Sequence, residues 1–100
     1  MGEHLKIVSF ELNDKNLLND WKVFSKEIDE DFVNVEGFIS RESGIDENGR
    51  IYCLVKWQSK IHQEKFMQRL TNGEDYPKIM EHFGSIANMD TMTPNNLEVF

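Results

Sequence analysis

The sequence predicts an α+β domain, an antiparallel sheet of four strands with helices packed on one of its faces. Three observations predict it. The segments "LKIVSFEL" at 5–12 and "RIYCLVKWQ" at 50–58 carry apolar residues at both parities, the pattern of strands that must bury two faces. Other segments space their apolar residues by three and four, the period of a helix with one apolar stripe. Between them "DENG" at 46–49 holds Asn48-Gly49, a pair that accepts the positive φ angles of a tight hairpin.

In the first strand Leu5 and Ile7 share one parity, and Val8, Phe10 and Leu12 run on the other face. A helix follows in "NDKNLLNDWKVFSKEIDEDF", where Leu17, Leu18, Trp21, Phe24, Ile28 and Phe32 form one face. Asn13 or Asp14 is its natural N-cap, a side-chain oxygen taking up an orphan backbone N–H. The acidic run "EIDED" at 27–31 reads as a solvated helix end, where carboxylates meet the unfavourable pole of the helix dipole. "VEGFISRESGI" at 35–45 is the second strand and "RIYCLVKWQ" the third. The hairpin between them has either two loop residues or three with a bulge at Gly49, and a one-residue slip would change which residues oppose Trp57.

Ser59 caps a second helix that runs to about Leu70, with Phe66 and Leu70 as its apolar points. "TNGED" interrupts the pattern. "YPKIMEHFGSIANM" at 76–89 then puts Tyr76, Ile79, Met80, Phe83, Ile86 and Ala87 on one stripe, with Pro77 tolerated in the first turn. "TPNNLEVF" closes the chain as a short strand. No repeat or linker divides residues 1–100, which read as a single domain. The order of elements is that of a ferredoxin-like four-stranded antiparallel sheet with helices on one face.

Composition narrows the function. A net charge of -7 and a pI near 4.8 oppose binding to phosphate backbones or anionic lipid, so neither nucleic acid nor a membrane surface is an expected partner. The one cysteine, Cys53, cannot close an internal disulfide and sits inside an apolar strand pattern, so a reducing, cytoplasmic setting is the default. No apolar run reaches the roughly 20 residues of a membrane helix. The start "MGEHLK" lacks the basic-then-apolar layout of a signal peptide and the Ser or Thr of a myristoylation signal.

Helices on one face leave the other bare, yet the third strand sends Ile51, Cys53, Val55 and Trp57 to one side and Tyr52 and Leu54 to the other. An apolar face of several hundred Å² marks an association surface. A second copy covers it most economically, so the expected assembly is a homodimer through the sheet face.

"EGFISRES", a hairpin, "RIYCLVKWQSK" and a helix resemble the antibiotic biosynthesis monooxygenase-like family of dimeric α+β barrels. In that family a Gly-Phe-hydrophobic-Ser strand precedes a strand ending in Trp-x-Ser and then a helix. The resemblance covers residues 36–70 closely and the remainder by element order. It implies a pocket between sheet and helices in each subunit. Members oxidise polycyclic phenols or quinols with molecular oxygen and neither flavin nor metal, or degrade haem, or isomerise small phosphorylated compounds. The expected function is therefore cofactor-independent monooxygenation of a small electron-rich aromatic, a phenol or quinol. The alternative is a non-enzymatic dimer, an accessory protein that binds a small apolar ligand or a partner.

The haem-degrading branch fits poorly. It uses an Asn on the first strand, a Trp ending the third and a His along the next helix; of these only Trp57 is present, with Ser9 and Glu11 on the strand and Phe66 and Met67 on the helix. No cofactor is expected.

Trp57 stands where the family has its pocket tryptophan, a wall for a flat ring whose N–H holds an oxygen; its plainer role is a core plug. His62 is the expected general base, able to take a phenolic proton near neutral pH, against the plainer role of a surface histidine. Phe66, Tyr76, Phe83 and His82 are the expected substrate-binding residues, or else core and rim. Metal is not expected, because His4, His62, His82 and Cys53 show no paired ligand spacing. Ser40 and Ser43 lack a nucleophile elbow, and the glycines form no phosphate loop.

Overall fold

Strand β1 (Glu3–Leu12) lies between β3 (Arg50–Trp57) and β4 (Ala87–Val99), and β2 (Phe38–Ile45) flanks β3, in the order β2-β3-β1-β4 with every pair antiparallel. The computed structural model describes residues 2–100. The two strands with apolar residues at both parities are the two central ones, as double burial requires. The polar strands take the edges, and β4 carries Pro94, which an edge tolerates because its missing N–H breaks no ladder bond.

Three helices connect the strands. α1 (Leu18–Phe32) follows a single 3-10 turn at Lys15–Leu17, which Asp14 caps by accepting the Asn16 N–H at 2.8 Å. Asn13 serves another helix end: its backbone N–H reaches Ile86 O at 2.9 Å and its side-chain amide reaches Gly84 O at 2.8 Å, satisfying last-turn carbonyls that the helix ending at Ile86 cannot. α2 (Lys60–Thr71) starts at the Ser59 cap, and α3 (Tyr76–Ile86) starts with Pro77 in its first turn.

Several boundaries differ from the sequence expectation. α3 stops at Ile86 and not near Met89, because Ala87 and Asn88 pair with Leu12 and Glu11 and so join the sheet. β4 consequently begins at Ala87, and a register shift absorbs the residues between Asn88 and Thr93. β2 begins at Phe38, with Gly37 at φ +83° in the turn before it. The hairpin register is settled by Asp46 N–H to Arg50 O at 2.9 Å and Gly49 at φ +88°: three loop residues, the last in the left-handed region. The Asp46 carboxylate also accepts the Arg50 and Asn48 N–H groups and the Tyr52 hydroxyl. Those bonds, Arg50's foremost, hold it below the usual carboxylate range, and the same contact raises the Tyr52 phenol.

Residues opposite one another in a ladder share a face, so the register sorts the side chains. The helix-covered face carries His4, Val8 and Phe10 of β1 opposite Trp57, Cys53 and Ile51 of β3. Its aromatic core divides in two. Near Ile51, Phe10 lies 5.0 Å from Trp21 and 5.4 Å from Phe83 between ring centroids, with Phe24 beyond. Near Trp57 a separate set gathers Phe32, Phe38 and Phe66. The opposite face holds Leu5, Ile7, Tyr52, Leu54, Leu97 and Val99 with no helix over it; Leu97 is exposed and the others half-buried. The Lys56 ammonium lies 3.6 Å from the Glu3 carboxylate at its margin. Among the described residues no helix is long and apolar enough to cross a membrane.

Candidate functional site

The last residue of β3, Trp57, lies opposite Phe38 on one side and His4 on the other. Three rings pack around it: Phe66 at 5.4 Å, Phe32 at 5.7 Å and Phe38 at 6.0 Å between centroids, with Phe32 also stacked on Phe38 at 5.0 Å. Trp57 is 2% exposed, so these side chains occupy the space around its indole. His4 is buried too, with Nε2 2.9 Å from Asn96 Oδ1.

His62 is held from two directions. Ser59 Oγ caps α2 by accepting the His62 backbone N–H at 3.3 Å and also lies 2.7 Å from His62 Nδ1. The ring covers Gly37, where a Cβ would come within about 2.2 Å of His62 Cγ, so the glycine is required both by its φ of +83° and by this contact. Nε2 lies 4.0 Å from the exposed Glu36 carboxylate. When Nδ1 donates to Ser59, Nε2 is the ring's free acceptor. His62 and Phe66 are four residues apart on α2, so they share one helix face.

Phe66 also lines a cleft of about 350 Å³ between the end of α1 and the α2–α3 turn, with Tyr76 in the opposite wall. Asp31, Glu74 and Asp75 surround it against one guanidinium, Arg69. A second cleft, about 430 Å³, lies between α1 and the β2 edge and has Trp21, Ser43 and Ile45 in its lining. Neither cleft is lined by Trp57 or His62.

Of the residues predicted from sequence, Phe66 thus links Trp57 to the cleft of Tyr76, and His62 stands one helical turn away. Phe83 and His82 lie elsewhere. Phe83 packs in the other aromatic set, 5.7 Å from Trp21, and His82 is an exposed residue whose ring meets Phe24 edge-on at 4.5 Å.

Sequence reasoning missed a buried ionic group. The Arg41 side chain, 4% exposed, donates through Nη1 to Asp29 Oδ1 at 2.6 Å and to Ser25 Oγ at 2.8 Å, and its Nη2 approaches Cys53 Sγ at 3.8 Å. Burial pushes the Cys53 thiol up in pKa, and the neighbouring guanidinium only partly offsets it, so Cys53 is a packing residue without thiolate character at neutral pH. No signal in the sequence marks this ionic group: the hairpin register sets Arg41 opposite Val55 under α1, and Ile39 is an extra residue that brings Phe38, opposite Trp57, onto the same face. Among the described residues no group of three His, Cys, Asp or Glu side chains could hold a metal ion.

No family model matches the chain, and no curated protein matches it. Solved structures do match by fold. A conserved protein from Methanosarcina mazei Go1 superimposes with a TM-score of 0.79 at 10% identity, covering 100% of this chain and 95% of that one. SnoaB, a cofactor-independent oxygenase from Streptomyces nogalater, gives a TM-score of 0.77 at 7% identity over 100% and 95%. A Bordetella bronchiseptica protein named as a candidate antibiotic biosynthesis monooxygenase gives 0.78 at 12% identity over 100% and 99%. The chain therefore has the fold of the antibiotic biosynthesis monooxygenases along its whole length.

Proposed function

We propose that the chain is a cofactor-independent monooxygenase acting on a small electron-rich aromatic, a phenol or quinol, and that it works as a homodimer through the bare sheet face. The observation that carries this reading is the full-length structural agreement with a protein named as a cofactor-independent oxygenase. The substrate ring would lie against Phe66 and Tyr76, within one helical turn of His62. Carboxylates around that cleft favour a neutral phenol over a phenolate on entry. His62 then removes the phenolic proton, and the electron-rich anion passes electrons to dioxygen. One oxygen atom enters the ring as a carbonyl and the other leaves as water, so phenol and O2 give quinone and H2O. Trp57 backs Phe66 and fixes the ring plane. The chain's contribution is orientation and charge placement. The single cysteine, Cys53, accords with a reducing cytoplasmic setting.

Oxygen uptake with a panel of quinols tests the activity, with wild type compared to His62→Ala and Trp57→Phe. Consumption above a heat-inactivated blank, reduced in both variants, is expected; no consumption removes the oxygenase reading for these substrates. Sedimentation tests the assembly, and a lone 11.8 kDa particle at about micromolar concentration overturns the dimer.

A second reading, a non-enzymatic dimer that binds a small apolar ligand, is favoured by the packing at Trp57, where Phe32, Phe38 and Phe66 fill the place a substrate ring would need. Saturable quinol binding without oxygen uptake would select it.

A further inference from the structure

We propose that the cleft between α1 and β2 is a binding site for a small apolar anion, an aromatic or branched carboxylate. This goes beyond the oxygenase reading and does not depend on it. The volume of about 430 Å³ is that of a small-molecule site, and its walls are apolar: Leu18 and Trp21 from α1, Ile45 and Ile51 from the sheet. The indole is fixed in place, since Trp21 Nε1–H donates to Ser43 Oγ at 3.3 Å while its ring packs on Phe10.

The charge around this cleft is opposite to that of the molecule. Lys22 and Lys26 both line it, four residues apart on one face of α1. Among the described residues neither lysine has an ion-pair partner. The nearby carboxylate, Asp29, is already engaged by Arg41 at 2.6 Å, so it does not neutralise them. On a chain of net charge -7, two unpaired ammonium groups beside an apolar cleft attract an anion whose body is apolar.

The sheet edge adds donors. β2 pairs only with β3, and the Asp46-to-Arg50 bond sets the alternation of the ladder, so the backbone N–H groups of Ser43 and Ile45 point to the open edge. Gly44, between them, also lines the cleft and carries no side chain to cover the edge.

The test is titration of the full chain with 1-naphthoate, followed by amide and indole NMR shifts, with 2-naphthol and naphthylmethylammonium as the neutral and cationic probes. Naphthoate is expected to saturate at about millimolar concentration or below and to move the Trp21 indole and the Ser43 and Ile45 amides. Affinity should fall about tenfold or more in the Lys22→Gln/Lys26→Gln double variant and hold within about twofold in Lys22→Arg/Lys26→Arg. Both variants alter exposed side chains, so folding is not at stake. Shifts that do not saturate, equal binding of the cationic probe, unchanged affinity in the glutamine variant, or shifts centred on Phe66 and Tyr76 would each overturn the proposal. None of these outcomes bears on oxygen uptake, so the two readings fail separately.

Discussion

The two ends of β3 make an instructive pair. At the Ile51 end an aromatic set built on Phe10, Trp21 and Phe83 adjoins a cleft with lysines around it; at the Trp57 end a set built on Phe32, Phe38 and Phe66 adjoins a cleft with carboxylates around it. Both ends use the same material, rings packed edge to face. The surrounding charges separate them, so one fold offers an anion-attracting and an anion-repelling site on the same side of its sheet. Trp21 reaches its cleft directly, whereas Trp57 touches its cleft only through Phe66. Trp21 is thus part of a cleft wall, whereas the surroundings of Trp57 are filled by Phe32, Phe38 and Phe66.

The largest test of this division is Trp57→Ala. Removing a buried indole costs about 3–5 kcal/mol, read as a lower urea midpoint, and the Trp21 indole resonance should stay where it is. Movement of that resonance would mean that the two sets act as one.

Gly37→Ala comes next. A left-handed φ costs a residue with a Cβ about 1–2 kcal/mol, and the clash with His62 adds to it. Adding His62→Ala should recover the clash and leave only the backbone cost; no recovery would show that the ring does not press on the turn.

Asp29→Ala strips the partner from a buried guanidinium. A fully buried pair broken this way costs about 3–5 kcal/mol, but Asp29 is half exposed, so about 1–2 kcal/mol is expected after solvent screening. The loss should leave the Phe66 and Tyr76 resonances unmoved.

The smallest effect is a coupling. Phe24→Leu and Phe66→Leu belong to different sets with no ring in common, so their stability losses should add to within about 0.5 kcal/mol. A larger coupling energy would break the comparison.

Much of this frame was legible in the residues. Apolar residues at both parities marked β1 and β3 as strands with two apolar faces, and these are the strands that take the centre of the sheet. The α1 stripe from Leu17 to Phe32 is the face the helix buries, and Ser59 caps α2 as its hydroxyl predicts. The end of α3 was not legible. Ala87 continues the apolar stripe, and only pairing with Leu12, a residue 75 positions earlier, draws it into the sheet. Arg41 was equally opaque, since its burial depends on a hairpin register the sequence left open and on an acceptor from another element. Of the candidate site, Phe66 and Tyr76 could be matched to one cleft, but the stripe that suggested Phe83 and His82 could not tell one end of the sheet from the other.

The extra residue at Ile39 has a further consequence. It works as a phase shifter: upstream of it Phe38 sits in step with Trp57, and downstream Arg41 and Ser43 fall on the same side only because one position has been skipped. Excising it would leave an unbroken ladder in which Phe38, Arg41 and Ser43 still face Trp57, Val55 and Cys53, with only the local bend and twist of the strand lost. One deleted codon there would straighten the edge strand while sparing both the aromatic set at Trp57 and the guanidinium's place under α1.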